Sequence, residues 1–417
     1  MAQPTIAIIG AGQAGFQVAA SLRELHYDGR VVVIGDEPHA PYQRPPLSKA
    51  YLLGEADNAQ VALRPDKYYE QHRIELITGK RAVAIDRTRR MVAIEDDSVV
   101  EYDHLVLATG ARNRPLPVPG ADLRGVFFLR TLDEASALRE RMASAKTAVV
   151  IGAGFIGLEF AAAAVKSGIS VTVLDVVDRP MARALSKTMS AVFTREHEKA
   201  GMRLLFNTQV MHLLGEAGAV VSVETVDGKI LPADLVVIGI GVIPNVELAA
   251  TCNLPIENGI IVDEFLQTAD PHISAIGDVA AHFNSYAHGA RVRLESVQNA
   301  SDQARCVAMR IVGRTHAYDA LPWFWSHQGN LKLQMAGLPA VGCEEVLRGD
   351  ANGSACSVFL FRDGKLVCVE TVNRAADHML ARRLMSQKVA LTPQQAADPQ
   401  FDLRALLPKA ATAAAAG

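Results

Sequence analysis

Gly10-Ala-Gly12-Gln-Ala-Gly15 and Gly152-Ala-Gly154-Phe-Ile-Gly157 are one glycine pattern written twice in the same chain. Each copy follows a short apolar run, Thr5-Ile-Ala-Ile-Ile9 or Ala148-Val-Val-Ile151, and each opens a stretch with helical apolar spacing. Strand, tight turn and helix in that order define a dinucleotide-binding unit. The first glycine permits the turn, the second lets backbone approach a pyrophosphate, and the third lets helix pack on strand. The free N–H groups and partial positive charge of the helix start then favour the anion. Both units run on to a second strand that ends at an acid: Val31-Val-Val-Ile34 before Gly35-Asp36-Glu37, and Val171-Thr-Val-Leu174 before Asp175. Asp36 or Glu37, and Asp175, are placed to accept from a ribose 2′-hydroxyl. Asp175 also repels a 2′-phosphate, by about 4 kcal/mol per unit pair at 4 Å and an effective dielectric of 20, so NAD is favoured over NADP. Arg183 is close enough in sequence to soften that repulsion.

The duplication organises the rest of the chain. His104-Leu-Val-Leu-Ala-Thr-Gly110 closes the first unit, Leu235-Val-Val-Ile-Gly-Ile-Gly241 mirrors it in the second, and the proline-bearing segment from Asn113 to Gly120 marks the crossing between them. Pro46 predicts a helix running through Lys49, and Glu295 to Ile311 reads as another helix. From about 320 the pattern changes to strand-like runs, Lys332–Met335, Ser357–Phe361 and Leu366–Val369, then a helix near Met379. The expectation is an α/β protein with two Rossmann-like dinucleotide-binding domains and a C-terminal α+β domain. The first domain is discontinuous, 1–112 and 246–320; the second is 113–245; the third is 321–417, with the low-complexity tail Ala410–Gly417 disordered.

FAD is assigned to the first unit because so long a cofactor demands distant chain segments. Gly277-Asp278 offers a late loop acid, and the helix after Glu295 offers N-terminal amides. No comparable late partner is legible for the second unit, which is left for NAD.

A net charge of −3 gives no basic field for nucleic acid, and no apolar run approaches membrane-spanning length. Met1 to Gly10 reads as strand, not signal peptide, and five dispersed cysteines without CxxC read as buried, reduced thiols, so the expected location is the cytoplasm. The twelve histidines show no metal spacing. Arg87-Thr-Arg-Arg90 and Arg382-Arg383 read as solvated faces.

Seven stretches carry a family resemblance: Pro41-Tyr-Gln-Arg-Pro-Pro-Leu-Ser-Lys49, Ala108-Thr-Gly110, Val150-Ile-Gly-Ala-Gly-Phe-Ile-Gly-Leu-Glu159, Gly241-Val-Ile-Pro-Asn245, Ala275-Ile-Gly-Asp278, Glu295-Ser-Val-Gln-Asn-Ala300 and Trp323-Phe-Trp-Ser326. In that order they resemble glutathione-reductase-type flavoproteins, and among these the NADH-dependent ferredoxin reductases of bacterial oxygenase systems (the palustrisredoxin, putidaredoxin and biphenyl dioxygenase types). The resemblance implies that Gly12, Ala14, Gly15, Glu37, Arg44, Pro45, Lys49, Val83, Ala108, Thr109, Gly110, Arg130, Gly277, Asp278, Glu295, Ser296 and Val297 line an FAD site, with Trp325 near the flavin edge. Val297 stands where some relatives have tryptophan, but the implied contact is through backbone. Gly152, Gly154, Phe155, Ile156, Asp175, Arg183, Gly239 and Gly241 would contact NAD, while Lys49 and Glu159 flank the flavin–nicotinamide stack as the catalytic pair. For Trp323 and Trp325, core packing is as good a reading as electron passage.

The implied chemistry is hydride transfer from NADH to FAD, then single electrons to a 2Fe-2S ferredoxin feeding a haem-thiolate or Rieske oxygenase, with the reductase a monomer or homodimer. A basic patch for an acidic ferredoxin is a further expectation. Disulfide and single-cysteine peroxide chemistry are unexpected, since the chain has neither CxxC nor CxxxxC and residues 36–50 contain no cysteine. The alternatives are a rubredoxin reductase and an apoptosis-inducing-factor-like NADH-responsive flavoprotein.

Overall fold

A strand apolar on both faces belongs inside a covered parallel sheet, and Ile6 to Ile9 are all buried. In the computed structural model, which describes residues 4–408, Thr5–Ile9 is the middle strand of a five-stranded parallel sheet. The order is Ile273–Ala275, His104–Leu107, Thr5–Ile9, Arg30–Ile34, Ile74–Ile77. A second parallel sheet repeats it: Arg203–Leu205, Ser170–Leu174, Thr147–Ile151, Leu235–Ile238, Val126–Phe127. The repeat extends to register. Thr5 pairs with Arg30 and Ile6 with His104, as Thr147 pairs with Ser170 and Ala148 with Leu235. Each unit also inserts a three-stranded antiparallel meander, Ala82–Asp86, Met91–Ile94, Val99–Glu101 before His104–Leu107 in one and Val210–Glu216, Ala219–Thr225, Ile230–Pro232 before Leu235–Ile238 in the other.

The chain leaves the first unit and returns to it along two neighbouring strands. Ala111–Asn113 and Val242–Pro244 pair antiparallel, with Ala111 opposite Pro244. Thr109 Oγ1 donates to Asn245 O at 2.7 Å and Asn245 Nδ2 donates to Thr109 O at 2.8 Å, which ties the two crossings together. Beyond the units, a five-stranded antiparallel sheet runs in the order Trp323–Gln328, Leu331–Gly337, Lys365–Val372, Cys356–Arg362, Glu344–Gly349. The helices Ala375–Ser386 and Pro393–Ala397 complete that layer. The tail Ala410–Gly417 lies outside the described residues.

Three local expectations need correction. The helix through Lys49 is a single 3₁₀ turn, Pro45–Ser48: it closes from Lys49 N to Pro46 O at 3.0 Å, and Lys49, at φ −135° and ψ −106°, has left helical geometry. The strand toward Gly241 stops at Ile238, and Gly241, at φ +100°, lies in the turn beyond it. The Glu295 helix begins at Val297, with Ser296 Oγ as its cap on Asn299 N at 3.0 Å.

The second unit does have a late partner. Glu370 accepts from Ser186 N at 2.9 Å and Ser186 Oγ at 2.5 Å, and Glu345 accepts from Lys187 N and Thr188 N at 3.0 Å each. Two acids of the third sheet thus cap the helix Lys187–Lys199. Charge pattern does not reveal this, because both acids read as ordinary strand residues.

Glu370 is fully buried, and burial pushes its carboxyl from 4.5 up to about 7 against the pull of the Ser186 bonds. A raised carboxyl binds its proton better folded than unfolded. Its contribution is therefore complete below pH 4.5 and lost as pH rises through about 7. Melts of wild type and Glu370→Gln at pH 5 and pH 8 should show the variant gaining on wild type by about 2 to 3 kcal/mol over that interval. A gap independent of pH would refute the raised carboxyl.

Candidate active site

Gly10 holds φ +113°, and a Cβ there would lie 2.1 Å from Ala108 O. Gly152 holds φ +109° with Gly239 O at 2.4 Å from the same point. Each first glycine is therefore required for backbone to pass backbone. The middle glycines differ: a Cβ on Gly12 meets nothing within 4 Å, and one on Gly154 meets only Gly239 O at 3.9 Å. These residues begin the helices Gln13–Glu24 and Phe155–Lys166, and neither helix has a side-chain cap. Open space at an uncapped helix start fits a pyrophosphate in both units.

Around the first turn stands a linked set of charges. Glu37 accepts from Tyr42 OH at 2.5 Å and from Arg44 Nη2 at 2.6 Å. Arg44 Nη1 donates to Arg130 O at 2.6 Å, and Arg130 Nη2 donates to Asp278 Oδ2 at 3.0 Å. Burial raises the Tyr42 phenol pKa, keeping it a donor. The late loop is held from behind: Gly277 N donates to Gln303 Oε1 at 2.7 Å, and Arg293 Nη1 donates to Asp278 O at 2.9 Å. Ala14 packs on this loop, its Cβ 3.2 Å from where Gly277 would carry one. Asp36 is largely exposed beside Arg81 at 3.8 Å, so of the two adjacent acids Glu37 is the one tied into the network. Val83 is half-exposed on Ala82–Asp86.

In the second unit Asp175 holds the glycine turn itself. Its Oδ2 accepts from Ala153 N at 2.7 Å and its Oδ1 from Val177 N at 3.2 Å. Ile156 is 44% exposed at the helix start, which leaves an apolar surface beside the open turn. Arg183 is exposed and makes no ion pair with any described residue. Phe155 packs on Phe324 with ring centroids 4.6 Å apart.

Lys49 and Glu159, far apart in sequence, meet between the units. Lys49 Nζ lies 2.5 Å from Glu159 Oε2 and also donates to Pro45 O at 3.0 Å. Glu159 is only 4% exposed. Ser48 Oγ donates to its Oε2 at 2.5 Å and Ser326 Oγ to its Oε1 at 2.7 Å. The site thus holds a cation by a buried anion, with groups from the turn Pro45–Ser48, the helix Phe155–Lys166 and the strand Trp323–Gln328.

Sequence reasoning missed Tyr42, Ser48, Gln303 and Ser326. Ser48 and Ser326 stand inside stretches that carry the resemblance, yet nothing in their spacing points to Glu159. Trp325 stacks on Trp323 at 5.4 Å, and Arg382 lies over Trp323 at 4.3 Å, so this arginine is not a freely solvated one. Nor is Arg87, whose Nε donates to Asp270 Oδ2 at 2.7 Å. The five cysteines are unpaired, four of them buried, and no group of metal-ligating side chains is present among the described residues.

Two dinucleotide turns joined by a lysine held on a buried glutamate define a two-dinucleotide oxidoreductase. The chain belongs to the pyridine nucleotide-disulphide oxidoreductase family, whose model matches residues 4–304, and residues 323–407 match the reductase C-terminal domain. It is 52% identical over 400 residues to rhodocoxin reductase of Rhodococcus erythropolis, covering 96% of this chain and 93% of that one. Its structure is similar to the ferredoxin reductase for the CYP199A2 system from Rhodopseudomonas palustris, with TM-score 0.94, 50% identity, and 97% and 100% of the two chains covered. It is equally similar, at TM-score 0.94 and 37% identity with 97% and 98% covered, to putidaredoxin reductase in its covalent complex with putidaredoxin.

Gly10→Ala should yield protein purified without flavin, and Gly152→Ala protein that keeps its flavin but no longer binds NADH, both read by absorbance and ligand titration. Full flavin content in G10A would overturn the assignment of the first turn.

Proposed function

We propose that this chain is an FAD-dependent NADH:ferredoxin oxidoreductase that passes single electrons to a 2Fe-2S ferredoxin serving an oxygenase. The observation that carries the reading is the Lys49–Glu159 pair, a partly exposed ammonium held on a buried carboxylate where the two dinucleotide units meet. The division of labour is 1–112 with 246–320 for FAD, 113–245 for NADH, and the remainder as the C-terminal domain. FAD would be held by Gly12, Ala14 and Gly15, by Glu37, Arg44 and Arg130, and by Asp278. NADH would be held by Gly152, Gly154 and Ile156, with Asp175 at its ribose end.

FAD, when bound, supplies the conversion between a two-electron hydride and two single electrons. The residues supply position and charge. The arginines Arg44 and Arg130 offer cations to phosphate, and the uncapped helix starts offer N–H groups. Glu159, itself buried, holds the partly exposed Lys49 ammonium in place. Hydride transfer needs no dedicated acid or base, so orientation is the main catalytic contribution. No contact of the pair is to a cysteine, which separates this site from dithiol chemistry. Asp175 supports NADH over NADPH. No helix among the described residues is long and apolar enough to cross a membrane, and the proposed setting is the cytoplasm.

Anaerobic stopped-flow absorbance tests the whole. Mixing with NADH should bleach the flavin fast, NADPH should bleach it slowly, and a 2Fe-2S ferredoxin should restore the colour. Sluggish bleaching that leaves a stable long-wavelength band, with no reoxidation by any ferredoxin, would point instead to an NADH-responsive flavoprotein.

A further inference from the structure

Glu159 is the end of a hydrogen-bond chain that begins on another helix. His197, on Lys187–Lys199, has its Nε2 2.7 Å from Gln328 Oε1. Gln328 Nε2 lies 3.1 Å from Ser326 Oγ and 3.4 Å from Met181 Sδ. Ser326 Oγ lies 2.7 Å from Glu159 Oε1. His197, Gln328 and Ser326 are each at most 2% exposed.

The chain has one consistent direction. A carboxylate only accepts, so the Ser326 hydroxyl gives its single proton to Glu159. Its oxygen must then accept from the Gln328 amide, whose own oxygen accepts from His197 Nε2–H. Turning the Gln328 amide over would set its oxygen against a hydroxyl with no proton left to give. Burial lowers the His197 pKa, consistent with a neutral ring protonated on Nε2. Three dipoles in series therefore point their positive ends at Glu159.

The division of donors is uneven. Lys49 and Ser48 both sit on Oε2, and Ser326 is the one donor to Oε1 among the described residues. The terminal torsion of a glutamate is broad and roughly two-fold. Without Ser326 one buried oxygen loses its partner, and the carboxylate is free to turn under the ammonium.

We propose that Ser326 is a positioning residue for the Lys49–Glu159 pair, with Gln328 and His197 fixing the direction of its hydroxyl, so that the C-terminal sheet sets the geometry of the reducing site. The consequence for turnover rests on the functional reading of that pair; the geometric claim does not.

Two readouts on the holoenzyme separate them. Competitive amine labelling followed by mass spectrometry should show Lys49 reacting several-fold faster in Ser326→Ala, with the other lysines unchanged. The limiting rate of flavin bleaching by NADH should fall about ten-fold, the scale of one hydrogen bond to a charged group, while the NADH concentration giving half that rate stays the same. Gln328→Met keeps the volume and removes the amide; it should act in the same direction more weakly, and add nothing in the Ser326→Ala background. It also carries the test should S326A fail to fold. Wild-type labelling of Lys49 in the folded variants would overturn the positioning role. A Lys49→Ala enzyme that bleaches at the wild-type limiting rate would instead sink the functional reading, leaving the labelling result to stand by itself.

Discussion

Taking a carboxylate out of water costs several kcal/mol unless protein donors replace the lost hydration. Glu159 satisfies that requirement from three directions at once. It stands on the helix after the second glycine turn, takes Ser48 and Lys49 from the segment after the first unit's second strand, and takes Ser326 from the C-terminal sheet. None of these segments is near another in sequence. The carboxylate is satisfied only when these three segments have come together, so the integrity of the fold and the readiness of the site are one condition. Removing a single donor is then more disruptive than its own hydrogen bond implies, because the partner left behind is buried.

The two units share a register, residue for residue, yet each is completed differently. The first receives Gly277-Asp278, fixed from behind by Gln303 and Arg293. The second receives Glu345 and Glu370, which cap one of its helices and bind it to the third sheet. Duplication supplied two equivalent turns, and the later segments made them unequal. One gained charge suited to a long anionic cofactor; the other gained a rigid attachment to the layer that carries Ser326.

The glycine turns, their flanking strands and the strand-end acids were legible because they are local: the period of two or 3.6 and the turn chemistry lie within about thirty residues. The charged network was legible only in part. Arg44 and Arg130 entered through family likeness and Asp278 as a late loop acid, and no spacing rule joins them. Ser326 and Gln328 left no signal at all, since a serine in a strand has the same pattern whether it faces a neighbour's methyl or a buried acid. The edge strands Trp323–Gln328 and Glu344–Gly349 were equally silent, being aromatic in one case and mostly charged or polar in the other. Arg87 and Arg382 show the same limit, because clustered arginines look solvated until the acid or the indole opposite them is in view.

The crossing strands Ala111–Asn113 and Val242–Pro244 have a meaning beyond the tie they make. Entry and exit of the second unit lie one strand spacing apart, about 4.8 Å, so everything between them is an insertion whose ends already meet. Such a segment behaves as a cassette. An ancestor could have acquired it in one recombination without stretching the host sheet, and a relative's segment of different nucleotide preference could be exchanged at the same two points.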